Sequence, residues 1–359
     1  DEIRALLEDA PWPARNPARN IADLKAQLAA CERGTSEMRR LCERYGRTMI
    51  DAYMRHIAEN AERAVRRLLT RLKDGHWRYE MDCGAVIEVA VRLSADRRSA
   101  VVDLTGCSDR HPGNFNAPRA VSRAAVLYVL RALVGEDIPL NDGCLKPIEI
   151  LLRPGSLLDP PAGAAVVAGN VETSQALTNA LLLALGAEAA SQGTMNNLSF
   201  GNARHQYYET ICGGTGAGPG FNGADAIQSH MTNSRLTDVE ILETRHPVRV
   251  TRFGVRRASG GAGRWRGGDG AIRELLFLEE MDAQILSGHR HTGPPGLAGG
   301  GPGRPGRNLV IRAEGGKEEL EASASTRMAV GDRLRIETPG GGGYGPPDRD
   351  EDSGANAGD

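Results

Sequence analysis

Four short segments hold the residue types that chemistry needs. The first is Gly169-Asn170-Val171-Glu172-Thr173-Ser174-Gln175, which follows the apolar run Val166-Val167-Ala168 and opens a helical pattern. Unpaired N–H groups and the positive end of the helix dipole favour an anion or a developing oxyanion at such a junction. Glu172 could satisfy that dipole or hold a substrate ammonium. A plain N-cap by Asn170 with Glu172 as an acidic first-turn residue fits the same spacing. The second segment runs over residues 191–202 and gathers Gln192, Asn196 and Asn197 with small hydroxyl residues between apolar anchors. Neutral amides of this kind orient an amide substrate without committing a charge, or form a buried polar network.

The third segment joins Tyr207-Tyr208-Glu209-Thr210 to the glycine-rich run 213–220. A phosphate loop is excluded, because a Walker loop needs Lys followed by Ser or Thr after its last glycine. A dinucleotide fingerprint is excluded too, since no strand–GxGxxG–helix frame can be drawn. The fourth is Gln228-Ser229-His230-Met231-Thr232-Asn233, in which His230 is the side chain that titrates near neutral pH. A lone histidine is more often structural. His289 and His291 alternate as on one face of a strand, but two ligands do not make a metal site, and exposed histidines are expected there. No metal ligands are assigned. There is no GxSxG or HExxH pattern, and Cys212 is the one thiol beside a candidate segment.

These segments need a frame to position them. The chain has 359 residues, enough for two or three domains at roughly 150 residues each. Its 40% hydrophobic and 25% charged residues support a packed core rather than disorder. A net charge of -2, with basic residues scattered along the chain, gives nothing to recruit nucleic acid. Six cysteines without a CxxC pair argue against zinc and against a disulfide scaffold. No apolar run reaches the roughly 20 residues of a membrane span, so a cytoplasmic protein with no membrane association is expected.

The periodicity predicts an α+β protein. Helices are expected over 21–31, capped by Asn20 and stopped at Gly34, and over a longer stretch begun by Thr35 or Ser36 and ending near Leu72. Period-two alternation follows in 77–81, 86–93 and 100–104, a small antiparallel sheet. A helix at 118–133, a strand at 148–152 and a helix at 171–190 come next. Strands are expected at 249–256, 272–278, 308–313 and 332–338, separated by glycine clusters. The expected segmentation is a helical segment 1–75, a small antiparallel sheet plus helix 76–160, a mixed core 161–245, a glycine-rich β region 246–345 and a disordered tail 346–359.

The wording of seven segments resembles the hydantoinase B/oxoprolinase family, in particular its C-terminal, B-type portion. They are Gly113-Asn114-Phe115-Asn116-Ala117-Pro118, 169–175, 190–197, Tyr207-Tyr208-Glu209-Thr210, His230-Met231-Thr232-Asn233, Arg266-Gly267-Gly268-Asp269-Gly270 and 338–345. The resemblance implies ATP-dependent ring opening of a cyclic amide, 5-oxoproline or a hydantoin, to the amino acid. ATP and Mg are then expected on an actin-like, hydantoinase A-type region or subunit, in a homo- or hetero-oligomer. Any divalent metal is placed ahead of Asp1, and the isolated chain is expected to be inactive. His230, Glu209 and Glu172 are the implied catalytic groups. Asn114, Asn116, Asn170, Thr173, Ser174, Gln192, Asn196, Asn197, Tyr207, Thr232 and Asn233 are the implied substrate contacts. Two readings stay open beside this one: a subunit of an ATP-dependent ketone carboxylase, and a non-catalytic scaffold.

Overall fold

The computed structural model describes residues 2–10, 13, 14 and 16–347. All but the first two residues of the expected tail 346–359 lie outside the described residues. The chain forms two compact units, one of residues up to Ala61 with Asn141–Gly143, the other of Glu62–Leu140 and the residues from Cys144 onward.

The first unit holds α1 (Glu2–Glu8), α2 (Pro17–Tyr45) and most of α3 (Arg47–Leu69). The cap of α2 is Asn16, not Asn20: its side chain accepts from the Arg19 N–H at 3.1 Å, and Pro17 supplies a preset first-turn φ. Gly34 lies inside α2 instead of ending it. One glycine costs a helix about 1 kcal/mol, too little to break a run of strong helix formers. The break comes at Gly46, where φ is +80°.

In the second unit the last turns of α3 bury Ala64, Val65, Leu68 and Leu69. A four-stranded sheet follows in the order β1 (Gly75–Glu80), β2 (Val86–Leu93), β3 (Ala100–Asp103), β4 (Ile148–Leu151). Its first two pairings are antiparallel and β3–β4 is parallel, the crossover being made through α4 (Arg119–Val134). Against β1, β2 and α4 packs α5 (Thr173–Ala184), all twelve of whose residues are buried. A helix buried all round is a core helix, so its polar side chains, Thr173, Ser174, Gln175, Thr178 and Asn179, must find partners inside the protein. It ends six residues short of the expected 190 because Gly186, at φ +66°, turns the chain left-handed and its N–H bonds back to Leu183.

Two further antiparallel sheets share one core. One has the order β12 (Ser323–Met328), β9 (Met281–Leu286), β5 (Asn197–Gly201), β6 (Gln206–Thr210). The other has the order β11 (Lys317–Leu320), β10 (Arg307–Ile311), β13 (Arg333–Glu337), β8 (Gly270–Phe277), β7 (Val248–Arg256). Leu198, Phe200 and Ile285 from the first meet Leu275, Phe277 and Ile336 from the second. A short helix, α6 (Val239–Arg245), precedes β7 and was not foreseen in the sequence. Only Asn197 of the amide-rich run 191–197 lies in a strand; the rest is irregular.

Glycine-rich backbone closes the assembly. A Cβ on Gly214 would fall 1.9 Å from the Gly268 carbonyl oxygen, and one on Gly341 would fall 1.8 Å from that of Thr215. Main chain packs on main chain here, which only glycine permits. The N–H groups of Gly213, Gly214, Thr215, Gly216, Ala217 and Gly218 all have protein acceptors. None is free to cradle a phosphate.

Candidate active site

A 3₁₀ turn, Val167–Gly169, delivers the chain into α5 with Glu172 at its N-cap. The Glu172 side chain turns inward and is 2% exposed. Its Oε1 accepts from Thr194 Oγ1 at 2.9 Å and from the Met195 N–H at 3.1 Å. Its Oε2 faces Gly288, where a Cβ would stand 3.2 Å away. Burial pushes the carboxyl up to about 8, with Asp82 adding to the rise and the two hydrogen bonds and Arg290 opposing it. At neutral pH it is mainly a carboxylic acid, not the solvated first-turn carboxylate that fits the sequence.

Glu172 lines a semi-enclosed cavity with Tyr79, Asp82, Cys83, Gly288 and His289. Its volume is about 20 Å³ for the centre of a water-sized sphere, room for about one water. Asp82 accepts the Arg290 N–H, and Arg290 reaches Asn196 Oδ1 at 2.8 Å. Burial pushes the Cys83 thiol up, so it is not a thiolate nucleophile.

A line of hydrogen bonds runs from this cavity to the surface. His289 Nδ1 bonds the Thr292 carbonyl at 2.7 Å and its Nε2 meets Tyr79 Oη at 2.5 Å. Asn179 Nδ2 donates to Tyr79 Oη at 3.1 Å, and Asn179 Oδ1 lies 3.1 Å from His230 Nε2. His230 Nδ1 is 3.3 Å from Tyr128 Oη. Gly193, at φ +66°, lets the backbone pass: a Cβ there would lie 2.6 Å from Tyr79 Oη and 2.8 Å from His289 Nε2. His289 is 6% exposed, against the expectation of exposure. Its segment is no strand, and φ +53° turns it inward, away from His291. His291 stays exposed near Glu321.

His230 borders a separate cleft of about 500 Å³ with Leu127, Tyr128, Arg131, Met231, Thr232 and Asn233. Burial pushes its imidazole down to about 4, so it is neutral in ordinary buffers. Glu209 lines neither cavity. It forms a two-pronged ion pair with Arg273 at 2.8 and 3.1 Å and accepts from Tyr207 Oη at 2.8 Å. Both ion-pair side chains are buried, at 2% and 1% exposure.

The neutral residues act mostly on the chain itself. Asn116 holds its loop through His111, Gly113 and Ala165, and the Asn114 carbonyl accepts the Ala168 N–H. Thr173 Oγ1 donates to the Phe115 carbonyl and Ser174 Oγ to that of Asn170, whose side chain is exposed. Asn196, at φ +44°, donates to Gln192 Oε1 and the Ile211 carbonyl. Asn197 Oδ1 accepts from Tyr208 Oη. Two buried amide nitrogens, Gln192 Nε2 and Asn197 Nδ2, have no hydrogen-bond partner. Among the described residues no three His, Cys, Asp or Glu side chains converge to hold a metal ion.

Sequence reasoning missed Tyr79, Asp82, Asn179, His289 and Arg290. The available signal was Asn179, which with Gln175 puts an amide among the apolar residues of a helix.

The sequence profile of the family described as Hydantoinase B/oxoprolinase matches residues 1–347. The chain is 47% identical over 348 residues to a 5-oxoprolinase of Dictyostelium discoideum, covering 93% of this chain and 27% of that protein. It is 46% identical to 5-oxoprolinase 1 of Arabidopsis thaliana, covering 91% of this chain and again 27% of the relative. The chain thus spans about a quarter of the length of these relatives. Among solved structures, the ATP-dependent caprolactamase from Pseudomonas jessenii superposes with a TM-score of 0.82 at 25% identity, over 96% of this chain and 64% of that one. A nucleotide-free acetone carboxylase shares the fold, with a TM-score of 0.77 at 16% identity, over 91% and 53%.

Proposed function

This chain belongs to the hydantoinase B/oxoprolinase family, and from that premise we propose that it is the ring-opening part of an ATP-dependent cyclic-amide hydrolase acting on 5-oxoproline or a hydantoin. The observation that carries the reading is Glu172: a buried carboxyl held on one oxygen, raised to about 8, with its other oxygen turned to a small cavity shared with Tyr79, Asp82 and His289. The 5-oxoprolinases it resembles and the caprolactamase whose fold it shares supply the substrate class.

An unstrained lactam is a poor electrophile, and transferring a phosphoryl group to its oxygen makes the carbonyl carbon open to water. ATP and Mg belong to that transfer and are assigned to a hydantoinase A-type region outside this chain. What remains is proton management. As water adds, the ring nitrogen must gain a proton, and a carboxylic acid poised near neutral pH is suited to give it. Asn196 and Arg290 fix the cavity wall; His230 and Glu209 hold neighbouring elements rather than touch the reacting atoms.

The test is amino-acid release from ATP and 5-oxoproline by the full-length or assembled enzyme. Glu172→Gln, which keeps shape but cannot give up a proton, should lower kcat by about 10²- to 10⁴-fold. Wild-type enzyme that releases no amino acid from any cyclic amide would refute the reading.

A further inference from the structure

Tyr79 and His289 share the cavity with Glu172, and their hydrogen bonds have only one consistent direction. A carbonyl can only accept, so His289 Nδ1, 2.7 Å from the Thr292 oxygen, carries the proton of the neutral ring. Its Nε2 then holds a lone pair facing Tyr79 Oη. The Asn179 amide is fixed by Ser191, whose N–H donates to Oδ1 at 3.1 Å and whose carbonyl accepts from Nδ2 at 3.0 Å. Asn179 Nδ2 therefore donates to the Tyr79 oxygen, and the Tyr79 proton points to His289. One acceptor position remains on the phenol oxygen, in a wall of the cavity that Glu172 also lines.

We propose that Tyr79, backed by His289, is the base that takes the proton of the hydrolytic water, working opposite the acid Glu172 in one water-sized cavity. The proposal rests on the cyclic-amide reading. In the addition step the water oxygen bonds to the phosphorylated carbon and the C=N electron pair moves to nitrogen, which takes the Glu172 proton. The water proton passes to Tyr79 Oη while the Tyr79 proton passes to His289 Nε2. In the collapse step the new hydroxyl returns a proton to Glu172 and the C–N bond breaks with its pair on nitrogen. Nitrogen takes a proton from Tyr79 as His289 gives its own back. Every protein group is then reset, and the ring-opened acyl phosphate yields carboxylate and phosphate with a second water.

The surroundings support this division. Tyr79 could not work alone, because burial holds its phenol well above the ordinary range and an isolated phenolate would be costly. Passing the proton on to His289 avoids that charge. Asp82 favours the resulting imidazolium and Arg290 opposes it; both face His289, with Glu172 across the cavity. The chain does not conduct past Asn179, since an amide carries no exchangeable acid–base site. His230 is thereby left as a positioning residue that holds Asn179.

The experiment uses the full-length or assembled enzyme with ATP and 5-oxoproline. Tyr79→Phe and His289→Gln should each lower kcat by about 10²- to 10³-fold with KM unchanged. The double variant should be no slower than the slower single variant, as expected for groups acting as one unit. Wild-type kcat/KM should fall on both sides of neutrality. His289→Gln should lose the acid-side limb and keep the alkaline one, while Glu172→Gln should do the reverse. Melting temperatures show whether each variant folds, and His289→Gln carries the test if Tyr79→Phe does not. Tyr79→Phe within about threefold of wild type, multiplicative losses in the double variant, or an intact acid limb in His289→Gln would overturn the relay while leaving the cyclic-amide reading standing. A wild type without amino-acid release would overturn both.

Discussion

At the scale of single residues, folding keeps one carboxyl protonated. Glu172 has a folded pKa of about 8 against an ordinary 4.5. A carboxyl raised in this way favours its protonated form in the folded state. Its contribution to stability is therefore complete below about pH 4.5 and is lost as pH rises through about 8. Glu172→Gln removes that dependence. Its stability relative to wild type, followed by urea unfolding, should rise between about pH 5 and pH 8 and level off above that. A difference that stays flat over this range would contradict a raised pKa. The position of Glu172 was legible in the sequence, as a carboxyl opening a helix, but its environment was not. Thr194, Met195 and Gly288 come from segments 22, 23 and 116 residues away, so burial depended on contacts that no local pattern records. His289 was misplaced for a related reason: alternation with His291 suggested a strand face, while a left-handed backbone turned it into the core.

At the scale of elements, the regular pieces followed their local patterns. The strands β1, β2 and β3, the helix α4 and the strands β7, β8, β10 and β13 lie within two residues of where periodicity placed them. Boundaries set by tertiary contacts did not. Gly34 was tolerated within α2, and α5 stopped where Gly186 turned the chain. The Glu209–Arg273 pair shows what packing demands of an element: it ties β6 to β8, which lie in different sheets. Removing one partner of a buried pair leaves a charge stranded, so Glu209→Gln should lower stability by about 3 kcal/mol or more. Adding Arg273→Met should recover much of the loss, because the lone guanidinium is the larger part of it. Denaturant midpoints for the two variants check this, and a double variant weaker than the single one would contradict it. The glycine layer gives a sharper expectation. Gly341→Ala would place a methyl within 2 Å of the Thr215 oxygen, and soluble, folded protein with wild-type melting behaviour would mean that the backbone there is not packed as described.

At the scale of the whole molecule, the α+β class was readable from periodicity, and the family from seven spaced segments between Gly113 and Gly345. The β core was not, since its two sheets join strands far apart in sequence, such as β5 with β9 and β9 with β12. The same long-range closure brings Tyr79, Glu172 and His289 to one cavity from three separate stretches. No helix among the described residues is long and apolar enough to cross a membrane. The cavity admits about one water, so the ring and the phosphoryl group would meet Glu172 from outside it. On the proposed function, this chain supplies proton transfer to chemistry begun elsewhere in the assembly. The most direct measurement is a single-turnover assay of the full-length or assembled Glu172→Gln enzyme, following ATP cleavage and amino-acid release together at pH 7. ATP should still be cleaved while amino-acid release falls by at least about 10²-fold. Release at the wild-type rate would contradict it.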